Sequence, residues 1–129
     1  MKISALASAS NVPSKTIRYY EEVGLIEPAR RNESGYRLYE ERDVATLIFI
    51  RRCRELNIAI DDIKQLLDVQ KKPKASCAMV DGMIDKQLNR IRQTQKELAM
   101  LENTLSSLAA SCANHKVEDC AILKKLNTN

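Results

Sequence analysis

Apolar side chains recur at helical spacing in a series of stretches separated by turn chemistry. Ile3, Leu6 and Ala7 share one face of a first short helix, for which Ser4 is the candidate N-cap. Ser10-Asn11-Val12-Pro13 breaks that pattern, and Ser14 is placed to cap a second helix running to Glu22. Gly24 followed by Leu25 has the form of a left-handed helix end with an apolar follow-on residue. Two short helices joined in this way make a helix-turn-helix. Glu27 to Arg31 and Tyr36 to Tyr39 then flank Asn32-Glu33-Ser34-Gly35, whose turn residues predict a β-hairpin wing.

Helical spacing resumes over 40–56, with Val44, Leu47, Ile50 and Leu56, and over 60–70, with Ile63, Leu66 and Leu67. Ala59 stands where a Ser or Thr cap is expected, so only Asp61 and Asp62 suit the start of that fourth helix. Lys71-Lys72-Pro73-Lys74 ends the pattern, and Ser76 can cap a fifth helix. Between Cys77 and Cys112, alternating steps of three and four give Val80, Ile84, Gln87, Ile91, Thr94, Leu98, Leu101, Leu105 and Leu108. Seven of these nine are apolar, which makes a coiled-coil seam of nearly five heptads. A polar stretch over 113–119 precedes a last apolar turn, Ala121-Ile122-Leu123 with Leu126. The expected fold is mostly α: a winged helix-turn-helix head over 1–39, a two-helix connector over 40–72, a long dimerisation helix over 76–111, and a C-terminal loop and tail over 112–129.

Composition agrees with that class and narrows the function. Aromatics are only 4% and Trp is absent, so an ordinary globular core would be thin while a helical one is easily built. The net charge of +4 is spread evenly over the two halves, so charge placement has to carry any case for a polyanionic partner. No apolar run approaches the ~18 residues needed to span a bilayer, and Met1-Lys2-Ile3 leads into an amphipathic helix; a cytoplasmic protein with no membrane partner is expected. No catalytic pair of carboxylates, nucleophile–base set or phosphate-cradling Gly loop stands out, so no enzymatic role is expected.

Two constellations carry chemistry. On the second helix, Lys15, Thr16, Arg18 and Tyr19 supply the basic, hydroxyl and aromatic groups that reach phosphates and base edges in the major groove, and Arg30, Arg31, Tyr36 and Arg37 do the same around the wing. Glu21, Glu22, Glu27 and Glu33 nearly cancel the local positive charge, and the same pattern also describes a solvated face.

The second constellation is sulfur. Four Cys in such a chain favour metal binding, redox chemistry or packing over a disulfide framework. Cys77 and Cys112 are five heptads apart, roughly 50 Å along a helix, so they cannot meet within one chain and a shared ion requires a second one. Filling seam positions as small apolar residues is the competing reading. Cys112 and Cys120 bracket seven residues, a loop able to fold both thiolates onto one ion, with His115 as a candidate fourth ligand or a solvent-facing loop residue. Three thiolates form a soft set that selects Cd(II), Pb(II), Hg(II) or Zn(II) over Mg(II) or Ca(II). The heptads leave chain direction open, because a parallel pair would instead gather both copies of Cys112 and Cys120 and set Cys77 against its twin. Cys53, between Arg52 and Arg54 on the side of Ile50 and Leu56, reads as a core residue.

Ile3 to Ala7, Thr16-Ile17-Arg18-Tyr19-Tyr20-Glu21 with Gly24-Leu25, and Gly35-Tyr36-Arg37-Leu38-Tyr39 together resemble the N-terminal signature of the MerR family of bacterial transcription regulators. The likeness extends over essentially the whole chain, and Ser76-Cys77 with Cys120-Ala121-Ile122-Leu123 is most similar to the family's cadmium/lead sensors. The resemblance implies an antiparallel homodimer in which Cys77 from the partner chain joins Cys112 and Cys120. It further implies Cd(II) or Pb(II) as effector, with Zn(II) or Hg(II) as alternatives, and double-stranded promoter DNA as the target. Metal binding would twist an overlong promoter spacer so that RNA polymerase engages both elements. Rival functions are a metal-buffering or metallochaperone coiled coil, and a redox or iron–sulfur regulator on the same head.

Overall fold

Helix α1 (Ile3–Ser10) ends on Asn11, whose φ of 57° is left-handed, and the next residue, Val12, donates its N–H back to the Ala7 carbonyl at 3.2 Å. The same device closes α2 (Ser14–Glu22), where Gly24 has a φ of 74° and Leu25 donates to the Tyr20 carbonyl at 2.9 Å. It recurs after α3 (Glu41–Glu55), with Asn57 at 60° and an Ile58 N–H to Cys53 O bond of 3.1 Å. Val12, Leu25 and Ile58 are all buried. A left-handed residue turns the chain and the apolar residue behind it pins the corner into the core.

This computed structural model describes residues 1–111 and 116–129, in two compact units, Met1–Val80 and Asp81–Asn129. In the first, α1 packs on both α2 and α3, and α4 (Ile60–Gln70) packs on α3. Leu6, Ile17, Leu47, Ile50 and Ile63 are wholly buried at the centre, each a contribution of about 1.5–3 kcal/mol by transfer out of water. Ser10, also buried, donates its hydroxyl to the Leu6 carbonyl, and Arg51 Nε donates to the Ser10 carbonyl at 3.2 Å, fastening α3 to the end of α1. The wing is a pair of two-residue antiparallel strands, β1 (Arg30–Arg31) and β2 (Arg37–Leu38), in the register Arg30 with Leu38 and Arg31 with Arg37.

Three local expectations need correction. Ser4 and Ser14 are not caps: α1 begins at Ile3 behind Lys2, α2 begins at Ser14 behind Pro13, and neither start has a side-chain cap bond. Proline's fixed φ starts α2 without help, and the Ile17 N–H closes onto the Pro13 carbonyl at 3.0 Å. Leu56, expected on the core face, is 57% exposed because the helix stops at Glu55 and its periodicity stops with it.

Helix α5 (Ala78–Ser111) makes up most of the second unit, followed by a short 3-10 turn, Val117–Asp119, and α6 (Ala121–Leu126). The Ser76 hydroxyl accepts the Ala78 N–H at 3.1 Å, so the expected cap is present. Cys77 therefore sits just ahead of α5 and not inside its first turn. No described residue of α5 is buried; Ile84, Ile91, Leu98, Leu101 and Leu105, all seam positions, are exposed. Among the described residues, no helix is long and apolar enough to cross a membrane.

Candidate DNA interface and thiol positions

Burial of Ile17 and Tyr20 decides which way α2 faces. With those two turned into the core, Lys15, Arg18 and Tyr19 are exposed and Thr16 is half-buried, the arrangement a recognition helix requires. The wing is shaped by one side chain: Asn32 Oδ1 accepts the N–H groups of both Ser34 and Tyr36 at 3.0 Å, while Gly35, at φ 82°, donates to the Asn32 carbonyl. Arg31 folds back and donates through Nη1 to the Gly35 carbonyl at 3.2 Å. Arg30 and Tyr36 remain exposed.

Between the start of α1, α2 and the wing lies an open cleft of about 410 Å³ whose lining includes Lys2, Ser4, Arg18, Arg31, Tyr36 and Arg37. Four cations converge there, and Lys2 Nζ lies 5.2 Å from the centre of the Tyr36 ring. Such a concentration of one sign in a concave site suits a phosphate backbone, whose contacts fix register and orientation. Of the eight residues expected to meet DNA, Arg18, Arg31, Tyr36 and Arg37 line this cleft; Lys15, Thr16, Tyr19 and Arg30 do not. Lys2 and Ser4 join it unannounced, since nothing local in the sequence brings the head of α1 against the wing.

Behind the cleft, the Tyr39 phenol donates to Glu21 Oε1, and Arg37 Nε stands 3.9 Å from Glu21 Oε2. Burial first, and then the Glu21 carboxylate, push the Tyr39 hydroxyl up to about 12. Tyr20 is likewise pushed up by burial, with Arg54 acting in the opposite direction.

The sulfurs occupy three different settings. Cys53 is buried and burial pushes its thiol up, so it stays protonated in the core as expected. Cys77 is exposed immediately before α5, and Cys120 is half-buried immediately before α6. Cys112 and His115 lie outside the described residues. Among the described residues, no three His, Cys, Asp or Glu side chains gather into a metal-binding group within one chain.

Residues 1–70 match the family described as MerR HTH family regulatory protein, and residues 44–108 match the one described as MerR, DNA binding. The HTH-type transcriptional regulator CueR of Vibrio cholerae is 36% identical over 126 residues, covering 98% of this chain and 91% of its own length. Heavy metal-dependent transcription regulator 2 of Rhizobium meliloti is 36% identical over 129 residues, covering 98% of this chain and 86% of its own. The crystal structure of the transcription regulator PbrR691 from Ralstonia metallidurans CH34 in complex with lead(II) superposes with a TM-score of 0.88 at 36% identity, over 98% of each chain.

Proposed function

This chain belongs to the MerR family of helix-turn-helix regulators, and on that premise we propose that it is a homodimeric, heavy-metal-responsive transcription factor acting on promoter DNA in the cytoplasm. Its relatives are transcription regulators, not enzymes. The observation that carries the reading is α5: a long apolar stripe, none of it buried and exposed from Ile84 to Leu105, with a thiol just ahead of it at Cys77 and further thiols beyond it in the sequence at Cys112 and Cys120. A second copy running antiparallel covers the stripe and brings Cys77 of one chain to Cys112 and Cys120 of the other.

The donor set fits a thiophilic ion. Cys77 is accessible and Cys120 is half-buried, and neither forms a disulfide. Three sulfurs suit Cd(II) or Pb(II), and lead in PbrR691 supports the latter. Zn(II) or Hg(II) would use the same sulfurs, with His115 as a fourth ligand where the ion prefers a tetrahedron. The ion acts by binding one of two dimer states more tightly, and the favoured state untwists the promoter for RNA polymerase. Cations in the cleft between α2 and the wing hold the phosphates while that happens.

Titration of the dimer with Cd(II), Pb(II), Zn(II), Hg(II) and Cu(I), followed by thiolate-to-metal charge-transfer absorbance, tests the proposal. The expected result is saturation at one ion per chain, together with a salt-sensitive footprint on DNA spanning the chain's own promoter. A monomer that holds the ion with undiminished affinity overturns shared ligation. Metal binding without any footprint favours a metal-buffering coiled coil instead.

A further inference from the structure

Glu21 is an acidic residue on the helix that faces DNA, where its charge opposes binding, yet its side chain is only 9% exposed. One carboxylate oxygen takes the Tyr39 hydroxyl and the other lies near Arg37. Both partners come from the distal strand of the wing and the residue after it. That hairpin needs an outside anchor: its strands are two residues long, too short to be stable alone, and its register sets Arg31 directly against Arg37, a like-charge pair. Arg31 is tied within the turn, to the Gly35 carbonyl, which leaves Arg37 to be compensated from elsewhere.

From this geometry we propose that Glu21 is a positioning residue for DNA binding: through Tyr39 and Arg37 it fixes the wing relative to α2 and so sets the width of the cationic cleft. The inference rests on the DNA-binding reading above. It reverses the sign that simple charge counting gives. Removing a carboxylate from a DNA-facing surface should tighten binding; here it should weaken it.

The test compares Glu21→Gln with Glu22→Gln, the same charge change one residue on, at an exposed position. Affinity of the full-length protein for its own promoter DNA should fall about tenfold in Glu21→Gln, the scale of one charge-assisted hydrogen bond, and stay level or rise in Glu22→Gln. Tyr39→Phe should weaken binding similarly, and the double variant no more than the worse single one, because both act through one contact. In parallel, trypsin cleavage within the wing, at Arg30, Arg31 and Arg37, should accelerate several-fold in Glu21→Gln while metal stoichiometry holds. Promoter affinity equal to or above that of the parent in Glu21→Gln, or losses from Glu21→Gln and Tyr39→Phe that simply add, overturns the proposal. If the parent protein itself shows no salt-dependent DNA binding, the functional reading fails separately, and unchanged wing proteolysis would then sink the Glu21 inference independently.

Discussion

The two units of this chain use their apolar residues in opposite ways. In Met1–Val80 a dozen apolar side chains, from four helices, the turns that follow three of them and Tyr39 behind the wing, are buried against one another, while α5 carries an equally regular apolar stripe and buries none of it. The first unit buries its apolar residues within one chain; the second leaves its stripe open, which is what the proposed dimer would cover. Function divides along the same line. Groups suited to DNA converge within a single head, whereas among the described residues no three candidate metal ligands come together.

Breaking the seam should have the largest effect. Leu98→Glu places a charge in the middle of the stripe on each chain, costing more than about 3 kcal/mol of association, and the protein should sediment as a monomer with metal affinity down more than a hundredfold. Persistence of the dimer would erase the contrast between the units. The complementary change, Leu47→Ala, should cost about 3 kcal/mol in the melting of the head and leave the dimer intact by sedimentation.

Mixing then sharpens the point about ligands. A Cys77→Ser chain paired with a Cys112→Ser chain should bind half the metal of the parent dimer, since one of two antiparallel sites keeps all three sulfurs. Measured retention of both sites, or neither, excludes that arrangement. A smaller effect marks the head's self-sufficiency. The Tyr39 hydroxyl is raised from 10.0 to about 12, so its contribution to stability is complete below pH 10 and is lost as pH rises toward 12. Melting temperature should drop more steeply across that window in the parent than in Tyr39→Phe. Smallest of all, Arg30→Ala should lower promoter affinity uniformly and reduce the slope of log affinity against log salt by about one, the signature of a single phosphate contact.

Legibility of the fold in the sequence divides in the same way, between local and non-local causes. Gly24-Leu25, the Asn32–Gly35 turn, the Val44-Leu47-Ile50 spacing and Ser76 at the start of α5 each announce themselves within a few residues, because their causes are local backbone and side-chain chemistry. Ser4 and Ser14 misled for the converse reason: a residue of good capping type sits inside the helix once the residue ahead of it, Pro13 in the case of Ser14, has set the dihedral. Asn11 and Asn57 give weaker notice than Gly24, since Asn is common in turns of every kind. Glu21 read as a charge opposing DNA because its partner Tyr39 is eighteen residues away, across the wing. Lys2 and Ser4 were missed at the cleft on the same account.

Asn11, Gly24 and Asn57 have one last implication. Three elbows locked by the same twist, each with an aliphatic anchor behind it, hold the helices of the head at fixed corners. If the proposed promoter distortion occurs, those corners would let the helices of the head turn as a block, so that little of the twist is lost in its own joints.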